Sequence, residues 1–269
     1  TLKIAERIKI PQPKTYYPDN LFELKQVMSN LVYPVIVKAR RSHGSFGVKL
    51  CHKKGQLKQA YKNISKIYGS PIVQEYIPDG GDAIGVSCLF GYKNDAKVVF
   101  THRRLRQYPI RGGPSTLRES IRHPKTEFMA IKLLKKIGWF GVAMVEFKID
   151  PRDNKPKLME INPRFWGSLS LPIFAGVDFP YLLYKLVTEG NIEKVRKYQL
   201  GIKSRWIGGD FLYLLHTKDK LKFFKEFLNF NQKDTYLEDI AKDDPLPMFS
   251  RPLSLIYLFD RKIRNRIFR

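Results

Sequence analysis

The chain has 269 residues, and 43% of them are hydrophobic and 13% aromatic, which argues against a disordered chain and allows one large domain or two small ones. Lysine and arginine number 49 against 25 acidic residues, so the formal net charge is +24. This excess indicates an anionic partner: nucleic acid, an acidic membrane surface or a small phosphorylated ligand. A generally lysine-rich composition is the alternative explanation.

The two cysteines, Cys51 and Cys88, have no metal-ligand spacing and form no disulfide framework. This usage is typical of a reducing compartment, so we expect the cytoplasm. No apolar run approaches the roughly 18 residues of a membrane-spanning helix. Residues 1–7 also lack the apolar core of a signal peptide. We therefore expect no transmembrane segment.

The first third of the chain alternates short strands and amphipathic helices. Asp19 is the predicted N-cap of a helix whose apolar residues run from Leu21 to Leu31. A glycine-containing loop over residues 40–47 separates two predicted strands. The remaining predicted elements here are strands over residues 34–39, 48–51 and 72–77 and a helix over residues 57–68.

The middle of the chain predicts a hairpin over residues 83–92 and 97–102, with Arg103, Arg104 and Arg106 at its exit. Residues 107–120 have the composition of a mobile surface loop that closes over a site. Helices are predicted over residues 124–138, 166–175 and 178–188. After residue 190 the chain is rich in Lys, Phe and Leu, which indicates an appended helical segment.

The most informative stretch is a predicted antiparallel hairpin over residues 142–150 and 157–162. Alternate residues of a strand share a face, so Glu160 and Asn162 lie together. A turn centred on Asp153 places Glu146 opposite Glu160, with the two Cβ atoms about 5 Å apart. Like charges at that distance repel unless a cation lies between them. Oxygen ligands of this kind suit Mg²⁺.

A register shift of one residue would break this pairing, and so would a glutamate that faces solvent. The residues that follow favour the metal site, because Arg164 comes two positions after Asn162 and residues 165–168 lead into a helix. The N-terminus of such a helix can hold an anion. The pattern therefore indicates a site for a metal together with a phosphate.

Residues 159–168 (MEINPRFWGS) are similar to the metal-binding signature of ATP-grasp ligases, the superfamily of carbamoyl phosphate synthetase, biotin carboxylase and D-alanine ligase. Upstream, in the same order as in that superfamily, residues 34–38 resemble its nucleotide-binding strand, the 40–47 loop its glycine-rich phosphate cover and residues 73–77 its adenine-binding hinge. Three further segments resemble the predicted carboxylate-amine ligase branch: residues 164–168, 175–180 and 204–206. The resemblance covers roughly residues 1–215.

The resemblance implies an α+β ATP-grasp fold, with two α+β subdomains that clasp ATP and a helical extension at the C-terminus. We expect a nucleotide-binding subdomain over residues 1–80, a metal and phosphate subdomain over 81–200 and a basic helical extension over 201–269. Family members usually begin with a Rossmann-like domain and a first phosphate-binding lysine. We expect both to be missing from this chain.

The resemblance also implies residue roles. Lys38 would contact the α-phosphate, Gln74, Glu75 and Ile77 would hold the adenine, and Asp82 would contact the ribose. One or two Mg²⁺ (or Mn²⁺) ions would be ligated by Glu146, Glu160 and Asn162. The candidate catalytic residues are Arg164, which would neutralise charge on the transferring phosphoryl group, and Arg104.

Each assignment has an ordinary alternative. Lys38 ends a strand, where a lysine is usually only solvated, and Arg103 and Arg104 can equally be surface charges. Glycine in the 40–47 loop can serve only a tight turn, because the spacing of a P-loop is absent. We interpret His43 and His102 as bystanders. The joint order of the motifs is what favours the ATP-grasp interpretation.

The expected function is that of an ATP-dependent ligase, which activates an unidentified small carboxylate as an acyl phosphate for attack by an amine, a thiol or a similar nucleophile. A kinase of the same fold is one alternative. The other is a basic module that binds nucleic acid or an acidic membrane, with residues 253–259 at an interface. Its basic residues are Arg251, Arg261, Lys262, Arg264, Arg266 and Arg269. No nucleic-acid-binding signature supports the first version of that module.

Overall fold

The structure is a computed structural model that describes residues 1–41, 46–110, 112–230, 232–238, 240 and 244. Its helices are α1 (Leu2–Arg7), α2 (Leu21–Met28), α3 (Lys54–Tyr68), α4 (Pro124–Ile137), α5 (Ser170–Phe174), α6 (Phe179–Glu189), α7 (Ile207–His216) and α8 (Lys220–Leu228). Its strands are β1 (Thr15–Tyr16), β2 (Val35–Lys38), β3 (Val48–Cys51), β4 (Ile72–Glu75), β5 (Ala83–Phe90), β6 (Ala96–Gln107), β7 (Ser115–Ile121), β8 (Gly141–Asp150), β9 (Lys155–Asn162), β10 (Lys203–Arg205) and β11 (Thr235–Leu237).

The chain divides into two compact units. The first contains Asp82–Phe147 and the described residues from Glu160 onward. The second contains Leu2–Gly81 and Lys148–Met159, the distal part of the hairpin formed by β8 and β9. None of the described helices is long and apolar enough to cross a bilayer.

The second unit is built on a four-stranded antiparallel sheet with the order β1-β4-β2-β3. Alternate residues of β2 point into its core, so Val35 and Val37 are buried with the apolar face of α3. The predicted N-cap of α2 was wrong. Asn20 caps this helix by accepting hydrogen bonds from the backbone of Phe22 and Glu23, whereas the carboxylate of Asp19 forms an ion pair with Arg40.

The first unit is built on a seven-stranded sheet with the order β11-β10-β7-β6-β5-β8-β9. The predicted hairpin is present as β5 and β6, and β6 extends five residues beyond the predicted end, to Gln107. One apolar core lies beneath this sheet, where Trp166 packs edge-on against Phe179 and both side chains are buried. β10 and β11 also belong to the sheet, although only helices were predicted in this part of the chain.

The prediction of a mobile loop over residues 107–120 was wrong for residues 115–120. Residues from Ser115 onward form β7, which pairs with β6 on one side and β10 on the other. Thr116, Arg118 and Ser120 are buried, although their polar character suggested solvent exposure. Partners elsewhere in the chain satisfy much of this polarity: Ser120 Oγ, for example, donates to the carbonyl of Gln199 at 2.8 Å.

Candidate functional site

The hairpin that carries the predicted metal ligands is closed by a tight turn over residues 151–154. The carboxylate of Asp150 accepts hydrogen bonds from both the backbone and the side chain of Arg152, at 2.6–3.0 Å. Arg152 also donates to Glu75 at 2.5 Å. The hydrogen bonds from the Arg152 side chain lower the pKa of Asp150 to about 2 and outweigh the opposing effect of burial.

Asp150→Asn is expected to lower the free energy of unfolding by about 2 kcal/mol at pH 6, because the ionised carboxylate is bound more tightly in the folded chain than in the unfolded chain. The pKa is depressed on folding, so this contribution is present above about pH 4 and is lost as the pH falls towards 2. Urea unfolding of wild type and variant at pH 6, 4 and 3 measures it. The exposed Glu193→Gln is the control, and a difference that does not change with pH contradicts the assignment.

Three predicted metal ligands carry their polar groups on one face of the hairpin. The side-chain amide of Asn162 donates to Glu146 Oε1 at 3.1 Å and lies 3.5 Å from Glu160 Oε1. Both glutamates therefore point to the same side of the sheet. The alternative in which one of them faces away does not fit this geometry. The exposed fraction of the Glu146 side chain is 17%, so it lies in a partly desolvated place.

This donor set contains two carboxylates and one amide. The described residues contain no group of three His, Cys, Asp or Glu side chains arranged to hold a metal. Mg²⁺ does not need such a group, because it usually takes one or two carboxylates and completes its shell with water and phosphate oxygens. Rotation of the Asn162 amide would present its oxygen instead of its nitrogen. The residues present therefore fit Mg²⁺.

The two candidate catalytic arginines each contact one of these ligands. Arg104 in β6 reaches across β5 and forms an ion pair with Glu146 at 2.5 Å. The residue of β5 opposite Arg104 is Ala83, which is small enough to leave that path open. Arg164 donates to the carbonyl of Phe165 at 2.8 Å and lies 3.5 Å from Asn162 Oδ1. Arg104 and Arg164 therefore each place a positive charge near the acidic pair.

The predicted ribose contact, Asp82, lies in the same unit as the metal ligands. Its carboxylate is 3.7 Å from the guanidinium of Arg103, which also pairs with Glu119 at 2.8 Å. Arg103 and Arg104 are neighbours in β6 and point to opposite faces of the sheet. Only Arg104 therefore faces the acidic pair.

The other predicted nucleotide ligands belong to the unit of residues 2–81. Lys38 is half-buried at the end of β2, and Gln74 is buried and donates to Thr15 Oγ1 at 2.9 Å. The carboxylate of Glu75 pairs with Arg152, and its backbone amide donates to the carbonyl of Lys14. The carbonyl of Ile77 accepts a hydrogen bond from Lys148 at 3.0 Å. These contacts order the segment on which the predicted adenine ligands lie.

His102 lies on the same sheet face as Arg104 and is completely buried. Burial, together with the nearby cations Arg104 and Arg118, lowers its pKa to about 3, so the ring is neutral. The imidazole lies over Gly85, where an added Cβ would come within 2.3 Å of the ring. Sequence reasoning treated His102 as a bystander and missed Arg118, which it placed in a loop.

Several predicted features lie outside the described residues. They include residues 42–45 of the predicted phosphate cover, among them His43. The basic C-terminal residues and the apolar segment 253–259 also lie there.

The four-stranded antiparallel sheet, the larger sheet and the cluster of Glu146, Glu160 and Asn162 fit the predicted ATP-grasp fold. A family model described as "ATP-grasp in the biosynthetic pathway with Ter operon" matches residues 71–209, just over half of the chain. The chain belongs to this family. A second model, the C-terminal domain of D-Ala-D-Ala ligase, matches residues 12–109. The predicted membership of the ATP-grasp superfamily is confirmed.

The matched relatives of known function share about a quarter of the aligned residues with this chain. A D-alanine–D-alanine ligase from Carboxydothermus hydrogenoformans is 27% identical over 213 residues, 71% of this chain and 67% of that protein. A formate-dependent phosphoribosylglycinamide formyltransferase from Sulfurisphaera tokodaii is 25% identical over 173 residues, 60% of this chain and 42% of the relative.

Solved structures agree on the fold. A biotin carboxylase from Campylobacter jejuni, solved as a β-γ-ATP complex, has a TM-score of 0.63 at 20% identity, over 75% of this chain and 48% of that one. This likeness confirms the predicted α+β ATP-grasp fold. The chain spans less than half the length of this structure and of the formyltransferase.

Proposed function

We propose that the chain is an ATP-dependent ligase that activates a carboxylate as an acyl phosphate, which an amine or a similar nucleophile then attacks. The observation that carries the proposal is the convergence of Glu146, Glu160 and Asn162 on one face of the hairpin, with Arg104 on Glu146 and Arg164 beside Asn162. The family membership and the names of the relatives support the same reaction class.

Glu146, Glu160 and Asn162 would hold Mg²⁺, or Mn²⁺ in its place, through their side-chain oxygens. The ion would neutralise charge on the phosphates of ATP. Without it, two carboxylates on one face repel each other and repel the triphosphate as well. Arg104 offsets part of this charge by pairing with Glu146 and holds that carboxylate in place.

The two arginines would act on the phosphoryl group in transfer. An oxygen of the substrate carboxylate attacks the γ-phosphorus, the bond to the β-phosphate oxygen breaks, and ADP leaves. Guanidinium donors stabilise the charge that spreads over the phosphoryl oxygens in this step. The nucleophile then attacks the carbonyl carbon, loses its proton and releases phosphate. Arg164 is exposed beside Asn162, where its guanidinium would meet the phosphoryl group.

The remaining roles are assigned to the nucleotide. Lys38 would contact the α-phosphate, Gln74, Glu75 and Ile77 would define the adenine edge, and Asp82 would bind the ribose. The biotin carboxylase complexed with β-γ-ATP supports a nucleotide in this fold. Both cysteines are buried and free, in agreement with a reducing compartment such as the cytoplasm.

Binding of a fluorescent ATP analogue tests the nucleotide site. We expect saturable binding with Mg²⁺, loss of binding with excess EDTA and recovery when Mg²⁺ is restored, because the phosphates approach two carboxylates only when a cation lies between them. Binding that EDTA does not change, but that weakens steeply as the salt concentration rises, would contradict the proposal and favour a polyanion-binding module.

ADP release against a panel of carboxylic and amino acids tests the reaction. We expect release that needs Mg²⁺ and a carboxylate, and a product that forms only when a nucleophile is also present. A stable phosphorylated product that forms without any amine would instead identify a kinase of the same fold.

A further inference from the structure

A row of polar side chains crosses the large sheet, beginning at the acidic pair. Arg104 of β6 is the direct cross-strand partner of Arg118 of β7, and Arg118 is the direct partner of Ser204 of β10. Direct partners share one face of a sheet and lie about 5 Å apart. The row therefore leads from Glu146, which pairs with Arg104, towards β10, two strands beyond Arg104.

The far end of the row holds a carboxylate from the chain itself. Glu238 follows β11, and one of its carboxylate oxygens accepts hydrogen bonds from the guanidinium of Arg118 and from the hydroxyls of Ser170 and Ser204. A guanidinium and two hydroxyls are donors that suit a carboxylate. This end of the row is a built carboxylate-binding site.

The site offers more donor capacity than Glu238 uses. Only 3% of Arg118 is exposed, yet its Nε atom has no hydrogen-bond partner among the described residues. His102 Nδ1 and Thr116 Oγ1 belong to the same two strands and are also buried without a partner in the described part of the chain. A buried polar group without a partner destabilises the folded chain. An anion larger than one carboxylate would offset part of that destabilisation.

The repulsion between Arg104 and Arg118, which face each other across β6 and β7, also favours binding of an anion here. Burial and the neighbouring Arg104 lower the pKa of Arg118 to about 9. Negative charge that reaches both guanidinium groups relieves this repulsion. A molecule with one carboxylate at Arg118 and another near Arg104 would do so across the cross-strand spacing of about 5 Å, which suits a short aliphatic dicarboxylate.

We infer that Arg118, Ser170 and Ser204 form a subsite for a second carboxylate of the substrate, and that Glu238 occupies this subsite until the substrate displaces it. This inference rests on the proposed function and narrows its substrate class to small dicarboxylates, whose reacting carboxylate lies at the Arg104 end. Arg118 acts here as a specificity residue, and Glu238 is an internal competitor.

The position of Glu238 allows its side chain to move away from Arg118. It follows a three-residue strand at the edge of the sheet, and 10% of its side chain is exposed to solvent. Exchange of one carboxylate for another at Arg118 conserves the hydrogen bonds, so the net change in free energy is small. Arg103 and Glu119 form a more exposed arginine–glutamate pair on the opposite face of β6 and β7 and provide a control.

Calorimetric titration with glutarate tests the inference on the full chain, first without nucleotide. Glu238→Gln keeps the shape of the side chain but removes its charge, so glutarate is expected to bind this variant about tenfold more tightly than it binds wild type. The gain should vanish in Glu238→Gln combined with Arg118→Lys. Glu119→Gln should bind glutarate as wild type does, and propionate should gain less than glutarate from Glu238→Gln.

A second measurement does not depend on the fold of a variant. In wild type, saturating glutarate should speed hydrogen exchange of the amides of Thr235–Glu238, because Glu238 leaves Arg118. Unchanged exchange, equal affinity of wild type and Glu238→Gln, or an equal gain for propionate would each overturn the inference. If glutarate has this effect but nucleotide does not bind with Mg²⁺, only the proposed function is contradicted. If nucleotide binds with Mg²⁺ but glutarate has no effect, only this subsite is contradicted.

Discussion

Replacement of Glu160 by glutamine is expected to lower the rate of carboxylate-dependent ADP release by a factor on the order of 100 or more. The change removes one of the two carboxylates that Asn162 holds on a common face, while it keeps the size of the side chain. Loss of one ligand weakens metal binding, and loss of one fixed electrostatic contact typically costs two to three orders of magnitude in rate.

Two measurements separate this effect from unfolding. The concentration of Mg²⁺ at half-maximal rate should rise in Glu160→Gln, and high Mg²⁺ should restore part of the activity. The midpoint of urea unfolding should stay close to that of wild type, because Glu160 lies at a partly exposed place on the hairpin. Glu189→Gln makes the same chemical change at an exposed position of α6 and should leave both quantities unchanged. A Glu160→Gln protein with the Mg²⁺ requirement of wild type would contradict the proposed ligand role.

The arrangement of the acidic pair could be predicted from sequence because it depends on local rules. Side chains alternate along a strand, and a turn of known length sets which residues of a hairpin face each other. The predicted turn at Asp153 lies within the observed turn at residues 151–154. Glu146, Glu160 and Asn162 therefore meet in the structure as the pattern requires, although their role as metal ligands stays a prediction.

The rest of the polar face could not be predicted, because its partners are far apart in the chain. Arg118 meets Glu238 across 120 positions, and no spacing rule links two such residues. The composition of β7 was also misleading. Its buried residues are Ser, Thr and Arg, which a sequence pattern assigns to a loop because it cannot show that another strand supplies their partners. β10 and β11, each only three residues long, could not be predicted for the same reason: they depend on pairing with strands that are distant in the sequence.

The cluster around Asp210 shows how such distant partners hold the first unit together. Asp210 in α7 is fully buried and accepts hydrogen bonds from Arg205 at 2.6 Å and from two nitrogens of Arg106 at 2.8 Å. Arg106 also stacks on the ring of Phe223 at 4.4 Å. Through this one carboxylate, α7 is joined to β6 and β10. Its charge is the main compensation for two guanidinium groups that have little access to water.

Asp210→Asn is expected to lower the free energy of unfolding by about 3–5 kcal/mol, because it leaves two buried cations without their shared counter-charge. Urea unfolding followed by far-UV circular dichroism measures the change. Glu226→Gln is the matched control: Glu226 pairs with the same Arg106, but 46% of its side chain is exposed, so its loss should cost less than about 1 kcal/mol. Equal losses for the two variants would show that Arg106 and Arg205 reach water, and that Asp210 is no more than one of several surface partners.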